Sequence, residues 1–113
     1  MANTILPGYA SPIGNKWMVV FDRTGPSSYS NIATNSGTGD VVNATDLGFG
    51  GIDVIVGTVE SSGTYDVEPY YTNTTGGAQS SVALKWYVTT TGSEAANGTS
   101  LSAKTVRLLA ICV

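Results

Sequence analysis

The residues best placed to do chemistry lie in one short run, "YDVEPYY", where Asp66, Glu68 and Tyr70 alternate onto one side. Two carboxylates spaced this way on a strand face could serve a Ca²⁺ ion or a general acid and base. No third and fourth oxygen ligand follows at usable spacing, so the simpler reading is a solvated strand face. The chain contains no histidine. That removes Ser-His-Asp and Cys-His nucleophile systems, the HExxH zinc helix and any imidazole base. The single cysteine, Cys112, offers neither an intrachain disulfide nor a cysteine zinc site, and inside an apolar run it reads as a small buried hydrophobe. In "GFGGID", Asp53 stands where a dinucleotide fingerprint needs its third glycine, and "GTGD" lacks the Lys-Ser/Thr of a phosphate loop. Both are expected to be turns. No catalytic residue, cofactor or metal is expected, and the chain reads as a non-enzyme.

Binding chemistry is a better prospect than catalysis. The aromatic set Tyr65, Tyr70, Tyr71, Trp86 and Tyr87 could stack on sugars, because aromatic faces bury area at little entropic cost. Trp86 is expected in the core, which leaves Tyr70 and Tyr87 as contact-surface candidates. Sequons at Asn43, Asn73 and Asn97 carry meaning only on a secretory route.

Composition narrows the partners. Among 113 residues only 12% are charged, against about 25% in ordinary globular chains, so the surface must be built from Ser, Thr, Asn and Gly. A net charge of -3 with five scattered basic residues supplies no phosphate-binding patch, and nucleic acid is not expected as a partner. Neither is a membrane, since no stretch approaches 18 apolar residues, "MANTILPGYASPIGNK" does not resemble a signal peptide, and Cys112 is misplaced for prenylation. Hydrophobic residues at 42% suffice for one core, hence one domain.

The elements that must position these residues repeat with period two between clusters of Gly, Ser, Thr and Asn, the pattern of strands. In "SVALKWYVTT", Val82, Leu84, Trp86 and Val88 face one way. "KWMVVFD" sets Trp17, Val19 and Phe21 against a second face holding Met18 and Val20, which is also partly apolar. "GIDVIVGTVESSGTYDVEPYYTN" is expected to form one hairpin about Ser62 and Gly63, pairing Val54 with Tyr71, Val56 with Pro69, Thr58 with Val67 and Val59 with Asp66. "TGPSSYSNIATNSGTGD" is expected to be a loop with an extended piece near Tyr29 to Thr34, followed by a short strand around Val41 and Val42. "NTTGGAQS" and "GSEAANGTS" are expected to be exposed hairpin connections, and no helix is expected. The fold class that results is all-β, a single antiparallel sandwich, jelly roll or small barrel over residues 16–113.

Residues 1–15 are expected to form an extended N-terminal arm, since Pro7, Gly8, Pro12 and Gly14 interrupt strand formation while Ile5, Leu6, Tyr9 and Ile13 give it something to bury; a tail folded back on its own domain is the alternative. The run "VRLLAICV" turns apolar on both faces and is expected to be a final central strand rather than an anchor. Leu108, Ala110 and Cys112 should fill the core, whereas Leu109, Ile111 and Val113 need a second cover, from a closed barrel or another subunit. The expected interface set is therefore Ile5, Leu6, Tyr9, Ile13, Tyr70, Tyr87, Leu109, Ile111 and Val113.

The whole chain resembles the small head-decoration, or cement, proteins of tailed bacteriophages. The likeness rests on compact length, the leaderless "MANT" start, the Pro/Gly-rich apolar arm, nearly uncharged strands and the closing "TVRLLAICV". It implies a virion protein on the capsid exterior that binds the major capsid protein, commonly as a homotrimer, and stabilises the shell. It implies no catalytic residues. The competing reading is a carbohydrate-binding or receptor-binding β-module of a phage fibre or cell surface, using Tyr70, Tyr71, Tyr87 or the Gly-rich loops.

Overall fold

The computed structural model describes residues 3–71 and 77–113, with residues 4–9 described through their backbone alone. Strands β1 (Asn3–Ile13), β2 (Lys16–Thr24), β7 (Thr105–Cys112) and β4 (Ile52–Val56) form one antiparallel sheet in the order β1-β2-β7-β4. Strands β3 (Asp40–Asn43), β6 (Ser81–Val88) and β5 (Tyr65–Tyr70) form the other, in the order β3-β6-β5. Of the expected architectures this is the sandwich. Helical structure among the described residues is one short turn, α1 (Ile32–Asn35), and a 3₁₀ turn at Ala44–Leu47.

Alternation decides what is buried. Val19 and Phe21 from β2, Val106, Leu108, Ala110 and Cys112 from β7, and Val82, Leu84 and Trp86 from β6 all turn inward, as their period-two spacing requires. Trp86 is fully buried, so it belongs to the core as expected. β7 pairs with β2 on one side and β4 on the other, which makes "VRLLAICV" a central strand. Its last residue is tied down by backbone bonds, Val113 N donating to Gly51 O at 3.0 Å and Gly50 N to Val113 O at 3.0 Å. The glycine run read as a turn is what receives it.

The segment expected as an arm is the edge strand β1. Pro7 and Gly8 do not prevent this, because the register jumps there: Ile5 pairs with Phe21 and Ala10 with Val19, so residues 6–9 stand against Val20 as a wide bulge. A bulged residue owes the ladder no hydrogen bond, which is where a proline can sit. The folded-back alternative therefore describes residues 3–13.

The expected hairpin is right at its tip and wrong along its arms. Val59 does bridge Asp66, and Val67 N donates to Thr58 O at 3.1 Å. Beyond Gly57, however, β4 joins β7 in one sheet while β5 joins β6 in the other. Gly57 makes the crossing possible, since a Cβ there would lie 1.7 Å from the Val67 carbonyl oxygen. β4 also bulges at Asp53, pairing Ile52 with Cys112 but Val54 with Ile111, so Ile52 and Ile55 turn inward while Val54 and Val56 turn out. The two valines are 39% and 50% exposed and do not meet Tyr71 and Pro69 across a ladder.

A buried ion pair stitches the other side of the sandwich. Arg23 and Asp40, 2% and 0% exposed, join β2 to β3 through bonds of 3.1 and 2.7 Å. Arg23 also donates to Val41 O and to Asn3 Oδ1, and Trp86 Nε1 donates to Asp40 Oδ2 at 3.1 Å. Both charges thus have the extra hydrogen bonds that a buried pair needs. At one end of the sandwich, "GSEAANGTS" is largely exposed as expected, but it joins β6 of one sheet to β7 of the other and so is not a hairpin connection, and two of its residues are anchored. Ala95 is buried, and the Glu94 carboxylate accepts from Tyr29 Oη at 2.5 Å and from the Ile32 and Ala33 amides. The piece near Tyr29 to Thr34 is accordingly a short helical turn behind a buried tyrosine rather than an extended segment. Residues 73–76 of "NTTGGAQS", with the Asn73 sequon, lie outside the described residues, and within the rest Gln79 bridges Ile52.

Candidate functional site

The outer face of the four-stranded sheet is built by three adjacent strands whose registers align apolar residues. Met18 on β2, Ile111 on β7 and Val54 on β4 form one row across the sheet. Val20, Leu109 and Val56 form the next. Neighbouring strands lie about 4.8 Å apart, and alternate residues about 6.7 Å apart, so these six side chains make one continuous patch. Exposure rises toward the β4 edge, where Val54 and Val56 are exposed while the β2 and β7 residues are half-buried by one another.

Charges fence the patch at both ends. Lys16 pairs with Asp53 across one end. At the other, Arg107 Nε and Nη2 donate to Asp22 at 2.8 and 3.1 Å, and this guanidinium holds the Asp22 carboxyl below its usual range. Beyond the Lys16–Asp53 end, Ile13 and Val113 are exposed at 51% and 44%. An apolar centre closed at both ends by paired charges has the anatomy of a protein-protein contact surface. The edge beside it is closed to strand addition at two points, because Ile52 exchanges both backbone bonds with Gln79, and Ile55 N donates to Tyr71 Oη at 2.9 Å while the same hydroxyl donates to Ile55 O. The face, rather than this edge, is what β4 offers a partner.

The expected interface set divides between opposite sides of the molecule. Ile13, Leu109, Ile111 and Val113 lie on or beside the outer face just described, and among the described residues no barrel closes over it. Tyr70 and Tyr87 lie on the outer face of the three-stranded sheet, at opposite ends of β6's register, opposite Ala83 and Asp66 respectively. They do not form a single platform. Ile5 has its backbone paired in β1, Leu6 and Tyr9 sit in the β1 bulge, and their side chains are outside the described residues. Met18, Val20, Val54 and Val56 complete the patch although the sequence did not single them out. The signal for Met18 and Val20 was the apolar second face of "KWMVVFD"; for the valines the Asp53 bulge hid it.

Asp66 and Glu68 stand opposite Tyr87 and Lys85 on the three-stranded sheet, and the described residues contain no group of three or more potential metal ligands. Cys112 is buried, which pushes its thiol up, and Asp53 adds to the effect. Glu60 was not anticipated. Burial pushes its carboxyl up, but donation from Ser62 N and Oγ, Thr64 N and Tyr65 N outweighs this and holds it at about 2. That carboxylate braces the Ser61–Thr64 turn, a structural task. No family model, no curated protein and no solved structure matches this chain.

Proposed function

We propose that this chain is a structural virion protein, a capsid decoration or cement protein that binds the outside of a phage head and reinforces it. The observation that carries the reading is the two-row apolar patch on the outer face of the four-stranded sheet, with its charges paired off at the ends. A residue such as Val56, half exposed on such a face, gains by being covered, at roughly 25 cal/mol per Å² of apolar area removed from water. A surface with few charges suits a protein covered by copies of itself and by a shell, with the patch uniting copies as a trimer and the β1 side turned toward the major capsid protein.

The test is retention on heads. Purified chain is mixed with undecorated heads of the phage that encodes it, and the heads are pelleted. The wild type should pellet with the shell and raise its melting temperature, while Val54→Lys/Val56→Lys, which alters two exposed positions, should stay in the supernatant. Equal retention of both proteins would remove the patch from the proposal, and absence of retention for the wild type would remove the decoration role.

A further inference from the structure

The opposite face of the sandwich carries a second, smaller recess. Val41 on β3, Ala83 on β6 and Tyr70 on β5 form a row across the three-stranded sheet, and the small Ala83 between two larger residues leaves a trough. Ile32 of α1 walls it, and its volume is about 210 Å³. This lies below the ~300–1,000 Å³ of cavities that hold drug-sized ligands, so the occupant is one small unit.

The lining specifies the chemistry of that unit. Among the described residues no charged side chain lines the recess, which argues for a neutral ligand. The floor and wall of Val41, Ala83 and Ile32 are apolar and would take a methyl group. The Tyr70 ring, 41% exposed, is steadied by the Lys85 ammonium 4.6 Å from its centroid, and so offers an aromatic surface at little entropic cost. Thr38 and Ser81 also line it, and neither side chain has a hydrogen-bond partner among the described residues. A rigid aromatic surface, lining residues with hydroxyls and a methyl-sized apolar floor suit a pyranose bearing an acetamido group. We infer that the recess between Tyr70 and α1 is a binding subsite for one neutral N-acetylated hexose unit of a glycan. It stands on a different face from the apolar patch and does not depend on the decoration role.

The experiment is an amide chemical-shift titration of the full ¹⁵N-labelled chain with methyl N-acetyl-β-glucosaminide, with methyl β-glucoside as the comparator. Saturable shifts in the millimolar range are expected at Val41, Tyr70, Ser81 and Ala83 and their neighbours. Tyr70→Ala should weaken the affinity by roughly tenfold, the loss of one aromatic contact. Ala83→Leu, which fills the trough from a half-buried outward position, should abolish the shifts while the circular dichroism spectrum is retained, and Tyr87→Ala should leave them unchanged. Three results would overturn the inference: no saturable shift with the acetamido sugar, shifts that persist in Ala83→Leu, or equal affinity for methyl β-glucoside.

Discussion

The two outer faces of this sandwich are made by the same rule and end differently. On the three-stranded sheet the outward positions of β5 and β6 are Asp66, Glu68, Tyr70, Ser81, Ala83, Lys85 and Tyr87, so alternation yields apolar inside and mostly polar outside. On the four-stranded sheet the outward positions of β2, β7 and β4 include Met18, Val20, Leu109, Ile111, Val54 and Val56, with charges only at the ends. One core serves both sheets, so the contrast is not a requirement of folding. It marks the face that is suited to a partner.

The sharpest way to break the comparison is to remove what the two faces share. Asp40→Ala leaves Arg23 buried without its counter-charge and Trp86 Nε1 without its acceptor, and should cost about 3–5 kcal/mol, read as a lower urea midpoint. Both faces should be lost together. Gly57→Ala comes next. Its Cβ would meet the Val67 carbonyl where the chain passes between sheets, and the strain should cost about 1–3 kcal/mol in the same assay.

Acid weakens the scaffold through carboxylates that their hydrogen bonds hold low. Glu60 has a folded value of about 2 against an ordinary 4.5, so its carboxylate stabilises the fold above about pH 4.5 and that contribution is lost as the pH falls toward 2. Glu94, also held low, acts in the same direction: burial raises it, but the Ile32 and Ala33 amides and Tyr29 hydroxyl outweigh that. Melting temperature followed through that window should fall more steeply for the wild type than for Glu60→Gln, which has no carboxylate left to protonate. Parallel curves would mean that Glu60 is not held by its turn. The smallest effect belongs to the polar face. Lys85→Gln should change stability by less than about 0.5 kcal/mol and leave the solution mass unchanged.

Much of this is legible in the sequence, and the failures have local causes. Inward and outward residues of β2, β6 and β7 follow from alternation, because those strands lack an inward interruption, and so Leu108, Ala110 and Cys112 fall where expected. β1 was obscured because Pro7 and Gly8 read as breakers, and a bulge that accommodates both leaves no mark in composition. The hairpin tip was legible from turn chemistry at Ser62 and Gly63, but the separation of its arms depends on the tight crossing at Gly57, a contact distant from the turn. Half of the candidate site was visible as a two-sided apolar strand in "VRLLAICV". The other half needed the registers that set Met18 and Val54 on either side of Ile111.

The central claim is that this outer face joins copies of the chain, and sedimentation equilibrium at micromolar concentration tests it most directly. The wild type should sediment as an oligomer, with a trimer the expected state. Ile111→Asp and the more exposed Val56→Lys should sediment as monomers while keeping the wild-type circular dichroism spectrum. A wild type that is monomeric, or variants that keep its oligomeric mass, would contradict the account.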